Sequence, residues 1–125
     1  MIYTDTTPQI KWDQEKRILY IDFVGHITKN EIIAAIKQIE DVHEIVLVKQ
    51  STVLHNFKKT THVTLEAQVL YSEQLQKRAF KKHAFVSVNS MINETIDIII
   101  SIAEQNENTM QIFGDENSAI ECLLS

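Results

Sequence analysis

The 125-residue chain reads as an α/β domain built on a mixed, mostly parallel sheet, with an N-terminal antiparallel hairpin and about four helices. Three observations predict this. Short runs of β-branched and aromatic residues alternate with stretches of helical periodicity, which implies parallel strands joined by right-handed crossovers. The first two strand-like runs are separated only by Asp13-Gln14-Glu15-Lys16, polar enough for a turn, so the sheet begins antiparallel. Ala84 to Val88 is a near-continuous apolar run, as in a central strand covered on both faces.

In order, Gln9 to Trp12 gives the first strand and Arg17 to Val24, RILYIDFV, the second. After Gly25, Thr28-Lys29-Asn30-Glu31 is a T-x-x-E capping box, which starts a helix by satisfying orphaned backbone N–H groups. Ile32, Ala35, Ile36, Ile39 and His43 then share one face, opposite Asn30, Glu31 and Lys37. Ser51 to Phe57 is short, β-branched and strand-like, and FKKTTHVT reads as a turn. Leu65 to about Phe80 consists of good helix formers. Its apolar stripe is Leu65, Val69, Leu75 and Ala79, diluted by Gln68 and Gln76. Ile92, Ile96, Ile99 and Ala103 make a cleaner stripe for the third helix, and Gln105 to Asn108 a polar turn. Met110 to Phe113 is a last short strand, ended by Gly114. Asp115 is the N-cap of a final helix carrying Ala119, Ile120, Leu123 and Leu124. The order is ββαβαβαβα, with no linker or repeat, so residues 1–125 are expected to form a single domain.

Composition narrows the function classes. Hydrophobic residues make up 44% and charged residues 23%, with two glycines and one proline, which fits a folded globular chain. Twelve basic against 17 acidic residues give a net charge of -5, so no basic field favours nucleic acid as a partner. Cys122 stands alone, which excludes an intramolecular disulfide and suits a reducing cytoplasm. The N-terminal residues MIYTDTTPQI contain no basic-then-apolar signal. The strongest apolar run, Ile96 to Ala103, is broken by Asp97 and Ser101 and falls far short of the roughly 20 residues of a membrane helix. A cytoplasmic protein without membrane insertion is expected.

The strand LYIDFVGHIT leading into NEIIAAIKQIE, the strand KHAFVSV and the ending MQIFGDENSAIECLL together resemble the SpoIIAA-like group. That group is related to the STAS domains of anti-sigma-factor antagonists and is often described together with SEC14-type domains. The resemblance covers nearly the whole chain. It implies a regulatory module that works through protein contact, or, through the SEC14-type relatives, a carrier of an apolar ligand. In phosphorylatable STAS members a strand ends in an acidic residue and the next helix opens with an Asp-Ser-Ser-Gly-like motif carrying the target serine. Here His55-Asn56 stands at the strand end and Thr64 stands nearest the serine position. The acidic residue before Thr64 and the Ser-Gly after it are absent, so the resemblance carries the fold rather than phosphorylation of Thr64.

In open α/β sheets ligands gather outside the carboxyl ends of the strands. That edge is expected to carry Gly25 and His26, Asn56 through Thr64, Asn89 and Ser90, and Gly114 and Asp115. The segment Lys58, Lys59, Thr60, Thr61 and His62, with Thr64 opening the next helix and Ser90 nearby, is a candidate anion site. The alternative is a solvated loop whose threonine caps the helix. The five histidines show neither HxxxH nor HExxH spacing, and Glu40 and His43 make only one Glu-x-x-His unit. No metal and no cofactor are therefore expected. His26 and His62 are placed to approach one another, without an acidic partner identifiable by spacing. Cys122 reads as structural. Glycine-rich phosphate loops and the nucleophile elbow are absent from the sequence. Ile98 and Ile102 flank the stripe of the third helix and are either covered by a neighbouring helix or form a patch for a second subunit. The expected function is a small cytoplasmic, non-catalytic binding or regulatory module, acting by protein contact or on a small anionic ligand. The alternatives are a lipid or hydrophobic-ligand carrier and a small enzyme using the His26 and His62 edge.

Overall fold

The computed structural model describes residues 7–43, 51–77, 80–103 and 110–125. Its first turn follows from Asp13, whose carboxylate accepts the Lys16 N–H at 3.0 Å, while Arg17 takes a left-handed φ of 57°. The turn lays β1 (Gln9–Asp13) antiparallel on β2 (Ile18–Ile27), with Gln9 opposite Asp22 and Asp13 opposite Ile18. At the end of β2 the capping box closes: the Thr28 N–H and hydroxyl both donate to Glu31 Oε1, at 2.7 and 2.6 Å. Thr28 Oγ1 in turn accepts the Asn30 N–H at 3.2 Å. With the orphan donors satisfied, α1 (Lys29–His43) begins where the sequence places it. The His43 side chain lies outside the described residues.

The remaining elements are β3 (Thr52–Val63), α2 (Leu65–Lys77), β4 (Lys82–Val86), α3 (Ser90–Ala103), β5 (Met110–Phe113) and α4 (Glu116–Leu124). The sheet order is β1-β2-β3-β4-β5, parallel from β2 onward. The mixed α/β class and the N-terminal hairpin are thus as the sequence predicts. Strand residues alternate between two cores. On one face Leu19, Ile21, Phe23, Val53, Phe57 and Phe85 pack under Ile32, Ala35 and Ile39 of α1, Ala67, Tyr71 and Leu75 of α2, and Ile92, Ile96 and Ile99 of α3. On the other face Ile18, Leu54, Ala84 and Val86 meet Ala119 and Leu123 of α4. Asp115 caps α4 by accepting the Ser118 N–H at 2.8 Å, and Lys82 Nζ reaches the carbonyls of Cys122 and Ser125 at its other end, at 3.1 and 2.9 Å.

Three expectations are corrected. FKKTTHVT is mostly strand: β3 pairs with β2 as far as Val63, and only Thr64 separates it from α2. The ladder skips one β3 residue between Asn56 and Lys59 and another between Thr60 and His62. These bulges break strict alternation, so Lys58 and Lys59 are both exposed, and the segment imitates a turn in sequence. Gly25, at φ 78°, takes a left-handed conformation between the two skips.

The buried face of α2 is the second correction: it consists of Ala67, Gln68, Tyr71, Ser72 and Leu75, whereas Leu65 and Val69 are exposed. Gln68 and Ser72 on this face both make internal hydrogen bonds, although Gln68 Oε1 is buried without a partner among the described residues. Gln68 Nε2 donates to the Val63 carbonyl at 3.0 Å, and the Ser72 hydroxyl lies 2.7 Å from the Gln68 carbonyl and 3.2 Å from that of Ile99. Ala79 and the turn Gln105 to Asn108 lie outside the described residues. Thirdly, β4 runs from Lys82 to Val86, which leaves Val88 exposed beyond the strand, and Leu124 is likewise exposed on α4.

Phe57 is fully buried, stacked on Phe23 at a centroid distance of 4.7 Å and near Phe85 at 6.3 Å. Phe57→Ala is expected to cost about 3–5 kcal/mol through lost transfer energy and residual cavity. Urea unfolding should show a lower midpoint with an unchanged m value. A loss below about 1 kcal/mol would show that this aromatic packing contributes little.

Candidate functional site

The most concentrated polar chemistry lies inside the molecule. His55 projects from β3 on the helix-covered face, between Val53 and Phe57. Its Nδ1 is hydrogen-bonded to the Tyr71 hydroxyl from α2, and its Nε2 is 3.0 Å from Nδ1 of His83 on β4. All three side chains are buried. The His55 ring stacks on Phe85 at 4.3 Å with an interplanar angle of 10°. Tyr71 meets both His55 and Phe23 edge-on at 5.4 Å, and Phe80 meets His83 edge-on at 5.5 Å.

Burial in this aromatic surround holds His55 well below the ordinary imidazole range, and the neighbouring His83 pushes it the same way. Desolvation lowers His83 to about 4 and raises Tyr71 well above the ordinary phenol range. All three groups are therefore neutral near pH 7. A neutral imidazole has one donor nitrogen and one acceptor nitrogen, so the bonds of His55 to Tyr71 and His83 use both of its ring nitrogens. The cluster orders α2 and β4 about β3.

The surface residues singled out in the sequence fall into separate places. Lys58 and Lys59 line a groove of about 480 Å³ between the sheet and α4, together with Gln9, Asp22, Phe23, Val24, Asn56 and Glu116. Asn56 donates to Glu116 at 2.8 Å and accepts the Lys58 N–H at 3.1 Å. Close by, hydrogen bonds from Ser118 hold the Asp115 carboxyl below its usual range, with Lys58 adding to the effect. Thr60 is buried, and its hydroxyl donates to the Phe23 carbonyl at 3.1 Å. Thr61 and His62 are exposed. His26 and His62 do approach one another: they are register partners whose rings stack at 5.0 Å.

Thr64 lies in a different notch, of about 290 Å³, with Thr28, Lys29, Asn30 and Glu66 at the adjacent N-termini of α1 and α2. Thr64 Oγ1 caps α2 by accepting the Ala67 N–H at 3.2 Å. Thr64 lies five positions beyond Lys59, a span of about 16 Å at strand rise. The lysines and the helix terminus therefore do not converge on one anion. Ser90 opens α3 and is exposed, and Asn89 caps that helix by accepting the Met91 N–H at 2.8 Å. Ile98 and Ile102 are also exposed, and no helix among the described residues covers them. Cys122 is half-buried, with its thiol 3.5 Å from Gln111 Oε1. Among the described residues no group of three or more His, Cys, Asp or Glu side chains is placed to hold a metal ion, and no helix is long and apolar enough to cross a membrane.

The sequence pattern missed a third surface. On the outer face of α2 a shallow depression of about 390 Å³ is lined by Leu65, Glu66, Val69, Leu70 and Glu73, with Lys29 of α1 at its edge. Its only signal in the sequence is that the Leu65 and Val69 stripe is diluted by glutamines.

No family model matches the chain, and no curated protein matches it. Solved structures do. An uncharacterised DUF3478-family protein with a SpoIIAA-like fold, from Shewanella loihica PV-4, aligns with a TM-score of 0.69 at 16% identity over 98% of each chain. The anti-sigma factor antagonist SpoIIAA, in its unphosphorylated form, aligns with a TM-score of 0.61 at 8% identity over 90% of this chain and 92% of that one. The chain thus has the SpoIIAA-like, STAS-related fold that its sequence resembles.

Because His83 binds its proton near pH 4 when folded and near 6.5 when unfolded, the unfolded chain takes up protons first on acidification. Stability is complete above about pH 6.5, declines as the pH falls toward 4, and has lost the His83 contribution below that. This contribution amounts to about 3 kcal/mol, and His55 adds to it in the same direction. Urea midpoints measured from pH 7.5 to 4 should fall accordingly; a flat profile contradicts a neutral buried pair. Tyr71→Phe leaves His55 Nδ1 without its partner and should cost about 1–3 kcal/mol at pH 7.5.

Proposed function

We propose that this chain is a small, non-catalytic regulatory module of the cytoplasm that works by contact with another protein. The observation that carries the reading is the division of its chemistry. The imidazoles of His55 and His83 and the phenol of Tyr71 are neutral and buried under aromatic rings, while Leu65 and Val69 are 69% and 37% exposed at the start of α2. In the STAS relatives that the chain resembles, the opening of this helix carries the regulated serine. The likeness to an anti-sigma factor antagonist over 90% of the chain supports the same reading. A lipid carrier needs an apolar cavity between sheet and helices, and Phe23, Phe57, Phe85, Tyr71 and His55 fill that layer in the middle of the sheet.

Cross-linking and affinity purification of the tagged chain from its own host should recover one protein partner in stoichiometric amount. A co-purifying lipid without any such protein would contradict the proposal.

A second reading, a small anionic ligand, rests on Lys58 and Lys59 in the groove beside α4. Asp22 and Glu116 share that groove, so a bound anion must be held against two carboxylates. Millimolar phosphate should shift the amide signals of Lys58 to Thr60 in the wild type and leave them unmoved in Lys58→Glu/Lys59→Glu. Shifts absent from the wild type remove this reading.

A further inference from the structure

The groove beside α4 exists because that helix covers only part of its face of the sheet. It packs on Leu54, Ala84 and Val86, and the carboxyl half of β2 stays uncovered, with Asp22 and Val24 exposed. On β3 the ladder gives up regular alternation between Asn56 and Lys59, so Lys58 and Lys59 both face outward and line the groove with Asp22 and Glu116. Bulges re-aim side chains in this way beside functional sites. The groove therefore holds two ammonium groups and two carboxylates, and none of the four has an ion-pair partner among the described residues. Lys59 is opposite Val24, two residues on from Asp22, which sets the backbones of Asp22 and Lys59 about 8 Å apart.

We propose that this groove binds a small zwitterion, a free molecule that carries an ammonium group at one end and a phosphate at the other. The inference rests on the anionic-ligand reading of Lys58 and Lys59 and adds the second charge that the ligand must carry. Charge balance selects it. A simple anion drawn to the lysines meets Asp22 and Glu116, and a simple cation drawn to the carboxylates meets the lysines. Asp115, held by Ser118 and within electrostatic reach of Lys58, adds a third carboxylate at the edge. A molecule with both charges sets its phosphate against the two lysines and its ammonium group against Asp22, so each repulsion is offset by an attraction. Glu116 already accepts a hydrogen bond from Asn56, which leaves Asp22 as the freer carboxylate. The volume of about 480 Å³ falls within the range of small-molecule sites. Its apolar lining is limited to Phe23 and Val24, which suits a short linker between the charges rather than an acyl chain.

The test uses the whole chain and three probes. O-phosphoethanolamine has both charges, inorganic phosphate lacks the ammonium group, and ethanolamine lacks the phosphate. Titration followed by amide NMR should give saturable shifts confined to Asp22 through Val24, Asn56 through Thr60 and Glu116 with O-phosphoethanolamine. Its affinity should be about fivefold higher than that of phosphate, and ethanolamine should give no shifts. Asp22→Asn, at an exposed position, should lower the affinity for O-phosphoethanolamine about fivefold and leave that for phosphate undiminished. Lys58→Gln/Lys59→Gln should abolish the shifts from both, while the amide signals elsewhere stay in place and show the variant to be folded. Equal affinity for phosphate and O-phosphoethanolamine, or an Asp22→Asn variant that binds both as the wild type does, overturns the inference and leaves a simple anion site. Shifts absent with every probe at millimolar concentration, or confined to another face, overturn it together with the anion reading, so the two failures are distinguishable.

Discussion

Everything in the helix-covered core is arranged around a histidine that cannot hold a charge. His55 lies on the central strand β3, stacked on Phe85 and bonded at its two ring nitrogens to Tyr71 and His83. An ionised imidazole there would face a desolvation cost of several kcal/mol, so the ring stays neutral and needs a partner for each nitrogen. Those partners come from different elements. Tyr71 fixes the rotation of α2 over the sheet, and His83 fixes which face of β4 turns toward the helices. The remaining aromatic contacts, Phe23 with Phe57 and Tyr71 edge-on to Phe23, follow from that placement.

The consequence for α2 is a helix turned away from its hydrophobicity pattern. Orienting Tyr71 and Leu75 inward carries Gln68 and Ser72 into the core, where both find internal bonds, and leaves Leu65 and Val69 outside. The exposure of Leu65 and Val69 is therefore a product of the buried polar cluster. Interior chemistry and surface chemistry are linked through the rotation of one helix.

Much of this architecture was legible in the residues. Thr28 and Glu31 announce α1, Asp115 announces α4, and Ile92, Ile96, Ile99 and Ala103 mark the buried face of α3, because capping and apolar spacing are local rules. The face of α2 and the length of β3 were not legible. Gln68 and Ser72 read as solvent-facing unless their distant partners, Val63 and Ile99, are known. Lys58 and Lys59 read as a turn because bulges let neighbouring side chains both face outward. The candidate anion site depended on that turn, and its members separate once β3 extends to Val63. His55 and His83 escaped notice for a related reason: their spacing along the chain carries no motif, and only the sheet brings them together.

The central claim is that His55 and His83 form a neutral, hydrogen-bonded pair in the core. Nitrogen-15 NMR of the imidazole rings tests it most directly, since it reports the protonation of each ring nitrogen. At pH 6 both rings should show one protonated and one bare nitrogen, and neither should titrate near the usual imidazole value of about 6.5. An imidazolium signal from either ring at that pH, or a titration midpoint near 6.5, would contradict the account.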